Sequence, residues 1–410
     1  MRSTDMADVS RVVLGLGGCV DYELKLTADV LEKLITAYRI GAAELASPGA
    51  VTSERDLVVS ILGYVARGGG GEHFVAAAPV LETFAGRFRH RATLGGTSVR
   101  AGLLLSRLGI PSTLHLVSVN DIVRRLLPPD CDYTSSGAED TCYPHLIVQY
   151  DTGRRIRAGD LDITAPFPNR LIYVNDPANS DMLLTDDLGD RLGKADVFLI
   201  SGFNAMRDEA ELVERLAALR SHMRQLPPGA VTYFEDAAYH EPAFSHLVRD
   251  ALLDAIDVYG MNEDELQSYL GYPVDLLSPP AVADALTAVR ALITVPTLVL
   301  HTKYWAATLG GDYGGTDYGD ALDTGIVMAA TRYRHGDDFT DVDVAQMRRQ
   351  PRRPESVAFA AALRERLGTD VRCVPAFALD VENPTTVGLG DTFVGGFLAA
   401  VTRRPARKDR

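Results

Sequence analysis

Ala255-Ile-Asp-Val-Tyr-Gly-Met-Asn-Glu-Asp-Glu-Leu266, "AIDVYGMNEDEL", passes from a short β-branched and aromatic run directly into a helix start. The run is too short for a buried helix and suits a strand, while Asn262 followed by Glu265 has capping-box spacing. Apolar runs ending in polar or glycine residues recur in "DVFLISGFN" (196–204), "AVTYFED" (230–236), "PTLVLHTKYW" (296–305) and "DVRCVPAFALDV" (370–381). Helical patterns lie between them. This rhythm predicts an α/β fold with a large, mostly parallel central sheet flanked by helices. Upstream, "RVVLGLGG" (11–18) reads as a first strand and "TADVLEKLITAYRIGAAEL" (27–45) as a helix. Ser53 and Asp56 open another helix, expected to stop at the four glycines 68–71. "SVRAGLLLSRLGI" (98–110) predicts a helix, "STLHLVSV" (112–119) a strand, and "RLIYVND" (170–176) a return to the βα rhythm.

Residues 121–170 break that rhythm. They offer alternating strands and turns without a helix, which suits antiparallel strands inserted into the body or a second small domain. "YRHGDDFTDVDVAQMRRQPRRP" (333–354) reads as a polar surface excursion.

The bulk composition narrows the function. A chain of 410 residues is long enough for one large or two ordinary domains. A formal charge of −14 argues against non-specific nucleic-acid binding, and the basic "RRPARKDR" (403–410) reads as a solvated tail. Cys19, Cys131, Cys142 and Cys373 form no CxxC pair and have no histidine at metal spacing along the chain, so neither structural zinc nor a disulfide scaffold is expected. The N-terminus lacks the pattern of a signal peptide, and no window approaches a membrane span. A reduced, cytoplasmic protein is the expectation.

Candidate functional residues fall at the ends of the strands, where open α/β sheets bind ligands. In "TTVGLGDTFVGGFLAA" (385–400), Gly388-Leu389-Gly390-Asp391 precedes an apolar helix. Such glycines leave backbone N–H groups free to cradle a phosphoryl group, with Asp391 placed to take a proton from an attacking hydroxyl. Alternatively, Asp391 only complements the helix dipole. Glu265 is either a cap for Asn262 or a Mg²⁺ ligand acting partly through water. Glu235 is a second carboxylate at a strand exit. Asp21 either contacts sugar hydroxyls or makes a turn. Gly95-Gly96 allows close approach of a ligand or of a helix, and His301 either lines a nucleotide pocket or is satisfied by backbone. Arg89, Arg91 and Arg100 either serve an anionic acceptor or are surface charges, with the surface reading slightly favoured.

In order, "VVLGLGGCVD", "LGGTSVRAG", "PNRLIYVNDPAN", "LISGFN", "VYGMNEDEL", "LVLHTKYW" and "TVGLGDTF" resemble the ADP-dependent sugar kinases, the glucokinase and 6-phosphofructokinase family of the ribokinase-like fold. The resemblance implies a large nucleotide-binding domain (1–20, 94–120 and 171–410) and a smaller β-rich lid (21–93 and 121–170). Asp391 falls where the family has its base, and Gly388, Leu389 and Gly390 where backbone amides stabilise the migrating group. Asn262 and Glu265 fall on its NxxE magnesium motif and Glu235 on its HxE motif. Asp21, Gly96, Thr97 and, less closely, Glu72 match acceptor-binding positions. Arg170 matches an arginine facing the donor phosphates, and His301 and Thr302 border the adenine. The implied cofactor is Mg²⁺ and the implied donor ADP, with a sugar-like small molecule as acceptor and neither nucleic acid nor membrane as partner.

Three departures bear on the acceptor. Cys19 replaces Asn of the sugar motif, Thr97-Ser98-Val99 replaces Asn- or Gln-Ala-Gly, and Tyr233 replaces His of HxE. They keep two other readings open: an ATP-dependent kinase of a nucleoside or specialised-metabolite sugar, and a non-catalytic binder on a kinase scaffold.

Overall fold

The computed structural model describes residues 11–46, 49–137, 139–310, 318–382 and 384–403. The charged tail after Arg403, the first ten residues and most of "GGDYGGTDYGDA" (310–321) lie outside them. The strands are β1 (Val12–Leu14), β2 (Cys19–Lys25), β3 (Gly71–Phe74), β4 (His90–Gly95), β5 (Ser112–Leu116), β6 (Cys131–Ser135), β7 (His145–Tyr150) and β8 (Arg155–Ala158). They continue with β9 (Leu161–Thr164), β10 (Asn169–Val174), β11 (Val197–Ile200), β12 (Val231–Glu235), β13 (Val258–Asn262), β14 (Thr297–His301), β15 (Trp305–Leu309) and β16 (Val371–Pro375).

Nine of them form one sheet in the order β16-β15-β14-β13-β12-β11-β1-β5-β6. All its pairings from β14 through β6 are parallel, and only β14–β15 and β15–β16 are antiparallel. The strand order reverses around β1, the place where doubly wound sheets open a crevice at the strands' carboxyl ends. Helices cover both faces. Glu209–Met223, Phe244–Leu252, Pro279–Leu292 and Pro354–Leu367 contribute to one apolar cluster, and Thr97–Arg107, Gly319–His335 and Leu389–Thr402 to the other.

A second, five-stranded mixed sheet runs β3-β10-β7-β2-β4. Helices Ala28–Tyr38, Glu54–Arg67 and Pro79–Ala85 bury a separate core against it. Ser53 and Asp56 make the expected capping box, and Gly68 ends that helix at φ 68°.

The elements differ from the sequence reading in four places. "RLIYVND" supplies β10, which pairs antiparallel with β7 and parallel with β3 in the small sheet, not in the large one. Cys131–Ser135, from the stretch assigned to the small domain, pairs parallel with β5 in the large sheet. A short helix, Asp121–Leu126, is capped by the Asn120 side chain, which accepts from the N–H groups of Ile122 and Val123. "PTLVLHTKYW" supplies β14 and then a hairpin turn, with β15 folding back antiparallel on it.

Candidate active site

Gly388 starts the Leu389–Thr402 helix with φ 69°, a left-handed backbone that favours glycine. A Cβ there would also lie 2.8 Å from Arg100 Cδ and 2.9 Å from Arg332 Nη1. Two constraints therefore require the same residue. The first-turn N–H groups of this helix have no intrahelical acceptor and form its positive end. Asp391 sits in that turn. Its Oδ1 accepts from Thr97 Oγ1 at 2.8 Å, and its Oδ2 lies 3.6 Å from Arg100 Nε. Its side chain is 24% exposed, so a ligand can reach it.

Thr97 and Arg100 come from the helix that follows β4. Gly96, at φ 91°, turns the chain from the small sheet into that helix. On β2 the period of two places Cys19, Asp21 and Glu23 on one face. The register then sets Asp21 opposite Thr93 of β4 on one side and His145 of β7 on the other. Gly95 makes room for Asp21, since a Cβ there would meet the carboxylate at 2.4 Å.

Arg100 is not a surface charge. Its side chain is 7% exposed and bonds Asp21 Oδ2 at 2.8 Å, with Glu23 at 3.7 Å and Asp391 at 3.6 Å. One guanidinium thus joins the predicted acceptor contact to the predicted base. Burial opposes its charge, and the surrounding carboxylates more than restore it. Arg89 and Arg91 are exposed, as expected, with Arg91 3.6 Å from Asp337. Arg332 donates to the Val387 carbonyl just before the nest, and Arg170 reaches the Thr386 carbonyl at 3.5 Å from β10. Arg100 and Arg332 also share a cavity of about 520 Å³ with Arg91 and Arg107.

A second group gathers at the ends of β12, β13 and β14. Glu235 pairs through Oε1 with His301 Nε2 at 2.7 Å and accepts from the Tyr233 hydroxyl at 3.1 Å through Oε2. Gly260, its register partner, has no side chain because a Cβ would lie 2.1 Å from Glu235 Oε2. Burial opposes protonation of His301, yet Glu235 raises its pKa above the usual value. The His301 ring stacks 4.7 Å from Phe393, and its Cε1 would be 3.3 Å from a Cβ on Gly390. His301 therefore connects Glu235 to the nest.

Asn262 and Glu265 close the capping box the sequence predicts. The Asn262 N–H and Nδ2 donate to Glu265 at 2.6 and 2.8 Å, and Asn262 Oδ1 accepts from Asp264 and Glu265. The cap leaves the functional reading open, because each carboxylate oxygen retains a second lone pair. Burial pushes the Glu265 carboxyl up to about 8, and Glu235 and Asp236 push it the same way. Asp236, held by the Tyr259 and Tyr269 hydroxyls, is raised to about 6, chiefly by burial. Buried carboxylates in each other's field, offering only oxygen donors, fit a hard cation such as Mg²⁺.

Two further predicted residues make contacts of their own. Glu72 bonds His240 at 2.8 Å on β3, three strands from β2 in the small sheet. Thr302 Oγ1 organises the β14–β15 turn, donating to the Trp305 carbonyl and accepting from the N–H groups of Tyr304 and Trp305. Sequence reasoning missed the roles of Arg100, Arg332 and His145. Arg100 was legible in principle, one helical turn beyond Gly96 and on the face of Thr97.

A glycine turn with Asp391 beside it and carboxylates at the strand ends lie on a sheet arrangement of the ribokinase-like fold. The chain belongs to the ADP-specific phosphofructokinase/glucokinase family, whose conserved region matches residues 10–399, and it is a kinase. A hypothetical ADP-dependent phosphofructokinase from Pyrococcus horikoshii OT3 shares the fold with TM-score 0.79 and 19% identity, covering 96% of this chain and 98% of its own. The last common ancestor of ADP-dependent phosphofructokinases from Methanosarcinales gives 0.78 at 15% identity, with 98% and 96% covered. An ADP-dependent kinase in complex with fructose-6-phosphate and ADPβS gives 0.70 at 14%, with 96% and 93% covered. No curated protein matches the chain. Among the described residues no helix is long and apolar enough to cross a membrane.

Proposed function

We propose that the protein transfers the terminal phosphoryl group of ADP, with Mg²⁺, to a hydroxyl of a sugar or sugar phosphate held between the two sheets. The observation that carries this reading is Asp391, exposed beside the nest and held by Thr97 and Arg100 from the acceptor side. The acceptor oxygen attacks the β-phosphorus, and the bond from that phosphorus to the bridging oxygen breaks to release AMP. Asp391 takes the hydroxyl proton and returns it to solvent. Phosphoryl transfer depends mostly on positioning and charge stabilisation, which the nest, Arg100 and Arg170 supply. Bound Mg²⁺ would neutralise donor phosphate charge from Glu235, Glu265 and Asn262, partly through water. The five-stranded sheet acts as a lid that excludes water from the cleft.

The acceptor side supports a substrate other than the family's usual ones. Cys19 removes an amide, and Arg100 occupies Asp21, so an incoming hydroxyl has to share that carboxylate with a guanidinium. A site whose polar groups are replaced discriminates strongly against its old ligand. The test is purified protein with Mg²⁺, a panel of sugars, sugar phosphates and nucleosides, and ADP or ATP as donor. Acceptor-dependent AMP release supports the reading. ADP formed from ATP would move the protein to the ATP-dependent class, and saturable binding without turnover would make it a binder.

A further inference from the structure

The side-chain cluster at Cys19, Asp21 and His145 has no part in the transfer chemistry beyond Asp21's contact with the acceptor. Cys19 Sγ donates to Asp21 Oδ1 at 3.2 Å, and His145 Nδ1 lies 4.0 Å from the same oxygen. One donor atom from each of the three lies within 4.8 Å of the others. A zinc ion with bonds of about 2.0–2.3 Å to sulfur, nitrogen and oxygen sets its ligands roughly 3.3–3.6 Å apart. Only Cys19 Sγ and Asp21 Oδ1 are already at that spacing; the imidazole has to draw in by up to about 1 Å, which a small side-chain rotation supplies.

Each ligand is also prepared by its neighbours. Asp21 divides its carboxylate: Oδ2 is bonded to Arg100, and Oδ1 faces the sulfur and the imidazole. On the far side of the imidazole, His145 Nε2 lies 3.3 Å from Asp176 Oδ2. Asp176 is fixed in turn by Asn179, whose N–H and Nδ2 donate to it at 3.1 and 2.6 Å. A carboxylate beside Nε2 keeps a proton on that nitrogen, so Nδ1, which faces Asp21, is the nitrogen that gives up any proton to bind a cation. This carboxylate–imidazole pairing is the outer shell that orients a histidine ligand on a metal. Cys19 and His145 are partly exposed, which leaves an entry path and room for a fourth ligand.

We propose that Cys19, Asp21 and His145 form a site for a thiophilic divalent cation of the Zn²⁺ class, open at its fourth position toward the cleft. The cation binds the Cys19 thiolate, whose proton goes to solvent, together with His145 Nδ1 and Asp21 Oδ1. The soft sulfur ligand separates this site from the all-oxygen group at Glu235 and Glu265, which favours Mg²⁺. Spacing along the chain gives no hint of it, because β2 and β7 bring Cys19 and His145 together across the small sheet.

The test is titration of the full chain with Co²⁺ alone, followed by absorption. The expected result is saturation at one equivalent, with a thiolate-to-metal charge-transfer band in the near ultraviolet that Zn²⁺ abolishes by displacement. Cys19→Ser should lose the band, whereas Cys142→Ser and Cys373→Ser should keep it. Asp176→Asn should weaken Co²⁺ binding by roughly 10–100-fold. Absence of saturable binding, binding without a thiolate band, or a band that survives Cys19→Ser would each overturn the proposal. A kinetic consequence rests on the proposed function as well: Zn²⁺ should inhibit competitively with the acceptor and not with ADP. Failure of that pattern with the Co²⁺ result intact would count against the acceptor assignment of Asp21, not against the metal site.

Discussion

At the scale of single residues, the site turns on Asp391 and Arg100. Asp391→Asn keeps the shape and removes the base, so turnover should fall by roughly 10²–10⁴-fold while ADP binding by calorimetry stays near wild type. Near-normal turnover would show that Asp391 serves only the helix start. Arg100 is buried among Asp21, Glu23 and Asp391. Arg100→Met would leave Asp21 charged and unpaired, and breaking a buried pair costs about 3–5 kcal/mol. Urea unfolding should register that loss, and adding Asp21→Asn should recover part of it. If the second substitution brings no recovery, the Arg100–Asp21 bond is not what stabilises the region. The sequence made Asp391 legible as a candidate, because a carboxylate in the turn after Gly388 and Gly390 is a local pattern. Arg100 was legible only in part: its place one turn beyond Gly96 can be read, but nothing in "TSVRAG" says that the helix buries it. Cys19 and His145 were hidden, as their meeting depends on strand register.

At the scale of elements, strand exits carry the function and glycines set the spacing. Glu265 opens the helix after β13 as both cap and candidate ligand. Glu265→Gln keeps the side chain's shape and one of its two bonds from Asn262, and removes the charge, so the Mg²⁺ concentration for half-maximal activity should rise at least roughly tenfold. An unchanged titration would make Glu265 a cap alone. The pair Gly395-Gly396 in the Leu389–Thr402 helix has another purpose. A Cβ on Gly396 would meet Thr324 O at 2.9 Å and Gly325 Cα at 3.0 Å, both on the packed Gly319–His335 helix. Gly396→Ala should therefore destabilise by about 1–3 kcal/mol, read as a lower Tm, with the separation of those backbones as its cause. Strand and helix types were legible wherever an apolar run met a cap. Sheet membership was not: β10 has the composition of its large-sheet counterparts, and its pairing with β3 and β7 depends on distant segments. The Asp121–Leu126 helix, at six residues, is too short for periodicity to reveal.

For the whole molecule, three apolar cores are built on two sheets, and the chain passes between the sheets at Gly15–Gly18, at Gly96, between β6 and β7, and after β10. If the small sheet is a lid, small-angle scattering should show a smaller radius of gyration with ADP analogue and acceptor together than with either alone. Stability of the large sheet carries its own pH signature. Burial lowers the His115 pKa to about 4, with His222 acting in the same direction. The unfolded chain, near 6.5, binds that proton more readily than the folded one, so stability is full above about pH 6.5 and is lost as pH falls toward 4. The loss amounts to roughly 3 kcal/mol. His115→Met should flatten that part of the urea-unfolding profile, and an unchanged slope would assign it to other groups. The nine-stranded order spans the same residues as the family match over 10–399.

The central claim is tested most directly by single-turnover measurement with β-³²P-labelled ADP, Mg²⁺ and the acceptor panel, using Asp391→Asn purified identically. The account predicts label transferred to an acceptor hydroxyl in step with AMP release by the wild type, and at least roughly 10²-fold more slowly by the variant. Equal AMP release by both proteins, or label passing to acceptor only from ATP, would contradict it.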